Sequence, residues 1–179
     1  MIVPKPESVG LPRGAGNFEL RCAPTEGRLV LGCIVPISEE PELLVGRVYS
    51  RRPEEHEYSL LGSTEPLESW TSPLPWNGGV LVVCSRVSPA TMSIATLNEF
   101  VGIKFRDFSG TAPRMLWERP DRSVWISELL NQGSRPDEIW CLVGRLVPPA
   151  YDRARYAVAV LDLGRGSVTD VAALAAPAY

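Results

Sequence analysis

Seventeen prolines and fifteen glycines are spread along the whole of this 179-residue chain. They interrupt it about every ten residues, a rhythm that suits strands joined by turns and long loops and does not suit a helical bundle. An all-β sandwich or barrel is therefore the expected class.

Between these breaks the apolar residues run in short segments. In Asn17–Ala23, Phe18, Leu20 and Cys22 alternate with Glu19 and Arg21, the period-2 pattern of a half-buried strand. Arg28–Ile37, Val80–Val87, Glu138–Val147 and Arg155–Leu163 are richer in Val, Ile and Leu and read as buried strands, with Arg114–Trp117 a shorter one. In the segment 155–163, Tyr156, Val158 and Val160 face one side and Ala157, Ala159 and Leu161 the other. Thr91–Phe108 holds one long strand or two short ones around Gly102. Asn77-Gly78-Gly79 is a hairpin signal before Val80, and Gly164-Arg165-Gly166 another turn.

Two short helices are expected. One begins at Ser38, an N-cap followed by Glu39, Glu40 and Glu42, and leaves Leu43–Tyr49 as helix or strand. The other covers Val124–Asn131, capped by Asp121 or Ser123 and stopped by Gly133. Ser167–Ala176 reads as a returning strand or an Ala-rich helix. Arg51–Trp76, broken by Pro53, Pro66, Pro73 and Pro75, reads as one long irregular segment of the kind that forms interfaces. The expected architecture is an antiparallel jelly-roll or β-sandwich of about eight strands with one or two short helices. Residues 1–16 form an extended N-terminal arm and 17–179 a single β-rich domain.

The charge argues against a nucleic-acid face. The formal net charge is -3, with 8 basic and 11 acidic residues through Ala90 and 10 of each thereafter. Lysine occurs twice against sixteen arginines, which fits interfaces or a GC-rich genome. Cys22, Cys33, Cys84 and Cys141 include no C-x-x-C, and His56 is the lone histidine, so no metal site is expected. Cys33 and Cys84 lie in apolar runs, as buried free thiols do, consistent with a reducing compartment. The start of the chain lacks a secretory h-region, and no apolar stretch is long enough for a membrane helix.

Phosphate-binding and nucleophile-elbow motifs are absent from the sequence. His56 lies in an acidic, loop-like stretch, Glu54-Glu55-His56-Glu57, and reads as a surface residue. The carboxylate pairs Glu54/Glu55/Glu57, Asp137/Glu138 and Asp107/Glu118 show no sign of a shared cleft. No catalytic residue and no cofactor is expected. Among the five tryptophans, Trp117 and Trp140 lie in strand patterns and read as core. Trp70 and Trp76, with Arg51 and Arg52, lie in the Pro-rich segment and read as interface residues.

The stretch Ser88-Pro89-Ala90-Thr91-Met92-Ser93-Ile94-Ala95-Thr96-Leu97-Asn98-Glu99-Phe100-Val101-Gly102-Ile103-Lys104-Phe105-Arg106-Asp107-Phe108 resembles coat-protein strands of picorna-like viruses, including plant viruses with several small coat proteins. Gly14-Ala15-Gly16-Asn17-Phe18-Glu19-Leu20 resembles a phrase near the last strand of such jelly rolls, and here lies near the start. The resemblance implies a capsid subunit that assembles with copies of itself or companion coat proteins around a genome. Contact with viral RNA would be indirect, and the subunit would reside in the virion or host cytoplasm. The alternative is a non-enzymatic β-sandwich binding, adaptor or immunity module of the cytoplasm of a GC-rich bacterium. An enzyme built on His56 or a carboxylate pair is a third class.

Overall fold

A computed structural model describes residues 16–23, 27–36, 44–63, 68–86, 99–147 and 154–175. The protein is all-β. Twelve strands run β1 (Gly16–Ala23), β2 (Arg28–Pro36), β3 (Leu44–Arg51), β4 (Ser59–Ser63), β5 (Glu68–Trp76), β6 (Gly79–Arg86), β7 (Glu99–Asp107), β8 (Arg114–Glu118), β9 (Val124–Gln132), β10 (Glu138–Leu146), β11 (Ala154–Asp162) and β12 (Ser167–Ala173). They form three four-stranded antiparallel sheets, β1–β4, β5–β8 and β9–β12, and in each every strand pairs with its neighbour in sequence. Within these sheets there are none of the Greek-key crossovers that define a jelly roll. The class is sandwich-like, with three layers instead of two.

The sheet β5–β8 is the middle layer. Along β6, Leu81 and Val83 join Ile103 and Phe105 in a core with Ile126, Leu129, Ile139, Cys141, Val143, Ala159 and Leu161 of the third sheet. The alternate residues Val80, Val82 and Cys84 pack with Val30, Val48 and Leu61 of the first sheet. Both faces of β6 are therefore covered, and its first six residues are all buried. This is why the segment has no polar alternation and reads as an unbroken apolar run. Each such Val or Leu contributes about 1.5–3 kcal/mol on burial.

β5 serves both cores by changing faces. Trp70 packs toward the first sheet, whereas Leu74 and Trp76 pack toward the third. Strict alternation would put all three on one side. The switch comes from a bulge: Thr71 pairs with Val83 and Leu74 with Leu81, so β5 uses three steps where β6 uses two. Ser72 at the bulge has a left-handed φ of 50°, and the neighbouring Pro73 is fully buried. A Cβ at Gly32 of β2 would come within 3.0 Å of the Pro73 ring, so that glycine makes room for it.

Several expectations are corrected here. Arg51–Trp76 is not one irregular segment but contains β4 and β5. Pro73 and Pro75 are tolerated because β5 is an edge strand and Pro73 sits in the bulge. Val124–Asn131 is strand β9, not helix. A bulge between Ile126 and Glu128 spaces the inward residues Ile126 and Leu129 three apart, which imitates helical spacing, and a second follows Leu129. Leu44–Arg51 and Ser167–Ala173 are strands, deciding two open alternatives. Gly16 already belongs to β1. The helix expected from Ser38, the arm over 1–15 and the stretch 91–98 lie outside the described residues.

Candidate interaction surface

The sequence-predicted interface residues do not come together. Trp70 and Trp76 are 2% and 8% exposed and are core residues, not surface anchors. Each indole N–H is satisfied inside the protein: Trp70 donates to Glu68 Oε1 at 2.8 Å and Trp76 to the Pro136 carbonyl at 2.7 Å. The reason is the bulged β5, which carries both into opposite cores. Arg51 lies over the Tyr58 ring and donates to the Glu55 carbonyl at 2.6 Å, while Arg52 is exposed in the turn after β3. His56 is exposed in the same turn.

Glu68, Trp70, Cys84 and Lys104 form a buried polar node between the first two sheets. Glu68 Oε1 accepts from Trp70, from the Cys84 thiol at 3.0 Å and from Lys104 Nζ. Burial pushes the Glu68 carboxyl up, but the hydrogen bonds from Cys84, Lys104 and Trp70 outweigh it and hold the group below its ordinary value. Burial and the Glu68 carboxylate push the Cys84 thiol up to about 12. The thiol is thus a hydrogen-bond donor and not a nucleophile. The node is a satisfied structural ion pair.

The third sheet carries the exposed feature. Ile139, Cys141 and Val143 of β10 face the core, so Trp140, Leu142 and Gly144 face outward. Across β11 their partners are Val160, Val158 and Tyr156. On β9, Trp125 lies flat over Gly144, where a Cβ would stand 2.2 Å from the indole ring, and meets Tyr156 edge-on at 5.8 Å. Trp125, Trp140, Leu142, Val158 and Val160 are half-buried, Tyr156 is 41% exposed and Val171 of β12 is 55% exposed. A solvated antiparallel sheet face normally presents polar residues at these positions. Here they form a continuous aromatic and aliphatic surface bordered by Glu128, Asn131 and Thr169. The assignment of Trp140 to the core is corrected with it. Trp117 is buried, as expected, with its indole donating to the Gly166 carbonyl at 3.0 Å.

On the opposite side of the same sheet, past the end of the core, lies a cleft of about 310 Å³. Ala157 and Ala173 form its floor, and Arg145, Arg155 and Asp170 line it. Arg145 reaches across β11 to donate from Nε and Nη2 to both carboxylate oxygens of Asp170, at 2.8–3.2 Å.

No family model matches the sequence, and no curated protein does. Among solved structures the chain is similar to "a putative conserved lipoprotein" from Clostridium novyi NT, with a TM-score of 0.53 and 13% identity over 80% of this chain and 85% of that one. At that identity the likeness is one of fold.

Proposed function

We propose that the chain is a non-enzymatic binding module that docks a protein partner on the outer face of the β9–β12 sheet. The observation that carries this is the apolar outward row Trp140, Leu142, Tyr156, Val158 and Val160, continued by Trp125 over Gly144, on the sheet face turned away from the middle layer. The face is broad and flat, and Trp and Tyr are the residues that anchor protein interfaces. A small molecule would instead call for a concave pocket. The capsid reading depends on a jelly roll, and sequential meanders lend it no support.

The test is a display library of genomic fragments from the organism that encodes the chain, selected on the wild type and counter-screened on Leu142→Glu and Val158→Glu. Binders that lose at least tenfold in affinity on both variants support the reading, provided the variants retain the wild-type circular dichroism. Binders indifferent to both variants, or none above the background of an unrelated domain, overturn it. Light scattering of the purified chain is the companion measurement. A mass near 19.6 kDa fits a module, whereas closed particles or rings would replace it with the capsid.

A further inference from the structure

We propose that the cleft over Ala157 and Ala173 is a binding site for a monoanionic carboxylate with a compact apolar body. Its charged groups lie on the other side of the β9–β12 sheet from the proposed docking face, and Tyr156, at the strand end, borders both.

Arg145 and Arg155 are directly opposite one another on β10 and β11. Like charges in that relation destabilise a sheet unless an anion lies between or beside them. Asp170 supplies one negative charge, and both its oxygens are spent on Arg145 in a pair with an Nη2–Oδ1 distance of 2.8 Å. Arg145 also donates to the Val168 carbonyl at 3.4 Å, so its guanidinium is held in place. Among the described residues no carboxylate pairs with Arg155, which lines the cleft. Of the groups that line the cleft, Arg145, Arg155 and Asp170 leave one positive charge (two minus one) beside the alanines, while Asp121, held by Ser123 outside the lining, also feels Arg145. A single planar guanidinium fork matches a carboxylate in two parallel hydrogen bonds. The small volume, at the lower end of ligand pockets, and the Leu146 and Val147 wall call for a compact apolar body. Ala157 and Ala173 both line the cleft, and the exposed Ala173 is the position where a larger side chain would extend into it.

The same carboxylate chemistry comes from a free small acid or from the C-terminus of a peptide. The probes are therefore benzoate, its neutral isostere benzamide, and a tetrapeptide ending in Phe with a free or amidated C-terminus. Each is titrated into the 15N-labelled full chain by NMR. Benzoate is expected to shift the amides of residues 145–147, 155–157 and 173 saturably, with benzamide leaving them unmoved. Arg155→Gln should weaken benzoate at least tenfold without altering the rest of the spectrum. Ala173→Leu should block it by filling the cleft while Arg155 remains. A free-carboxylate peptide binding more tightly than benzoate, with its amide inactive, assigns the site to a peptide terminus; weaker peptide binding assigns it to a free acid. No saturable shift with either carboxylate, or equal shifts with benzamide, or undiminished binding to Arg155→Gln, overturns the proposal.

Discussion

The Ser72 hydroxyl pairs with the backbone of Leu129 as a neighbouring strand would. It accepts from the Leu129 N–H at 2.7 Å and donates to the Leu129 carbonyl at 3.2 Å. β9 is the edge of its sheet, and Leu129 is fully buried, so both groups would otherwise lack a partner in an apolar site. Ser72→Ala should cost about 1–3 kcal/mol. Ser72→Gly removes the same hydroxyl but relieves the left-handed φ, and should be less destabilised by about 1 kcal/mol. Urea midpoints of the three proteins check this. A Ser72→Ala protein as stable as wild type, which keeps the left-handed φ and lacks only the hydroxyl, would mean that the hydroxyl contributes nothing.

The places where sequence reading succeeded and failed divide along these bulges. β2, β6, β10 and β11 are regular, and their apolar runs show in the sequence with bounds within a residue or two of those observed. Asn77 and Gly78 both have positive φ, as the two-residue turn expected there requires. β5 and β9 are bulged, and an extra residue erases the period-2 signal on which strand reading rests. Trp70 and Trp76 read as surface for the same reason, since the bulge hides that β5 carries them into two cores; Trp140 lies on the regular β10, where alternation shows two faces and not which of them is covered. For β11 both apolar faces were legible, but which of them is covered depends on which layer packs against it, and alternation alone carries no such information. The Arg145–Asp170 pair bridges β10 and β12 across β11, a relation with no local signature.

The polar node predicts an acid-sensitive contact. The folded Glu68 carboxyl lies below its ordinary value of 4.5. Its contribution to stability is therefore present above that value and is lost as the pH falls through the lower, folded one. Glu68→Gln leaves Lys104 without its counter-ion and should cost about 1.5–3 kcal/mol at pH 7. Denaturation profiles of the two proteins should converge as the pH is lowered below 4.5. A constant gap from pH 7 to pH 3 would show that the carboxylate charge is immaterial.

Three thiols should be silent in the folded protein. Cys33, Cys84 and Cys141 are buried, and burial first of all pushes them up to about 11, about 12 and about 12. Thiolate is the reactive form, so at pH 8 almost none is available. In a Cys22→Ser background, Ellman's reagent should report no fast thiol in buffer and three in denaturant. One fast thiol in buffer would mean that a core strand opens locally.

Adjacent glycines in the β5–β6 hairpin should differ in what they tolerate. Gly78 has a φ of +74° with open space around it, so Gly78→Ala meets only the left-handed backbone penalty, about 1 kcal/mol. Gly79 is limited by space: a Cβ there would stand 2.3 Å from the Arg106 carbonyl oxygen and 2.7 Å from the Asp107 Cα. Both belong to β7, which pairs with β6 through Gly79–Asp107 and Val80–Arg106 and is held on its far side by β8 up to Phe105, so it cannot retreat without disturbing those pairings. Gly79→Ala should therefore cost about 3 kcal/mol, the upper range for overpacking, and should also weaken the Trp76–Phe105 edge contact at 5.4 Å, since the added carbon would come within 2.7 Å of the Phe105 ring. Thermal unfolding gives the order of the two variants, and near-ultraviolet circular dichroism reads the aromatic pair. Equal losses at both positions would mean that the strand backbones yield at this hairpin, and that turn conformation alone sets its requirement for glycine.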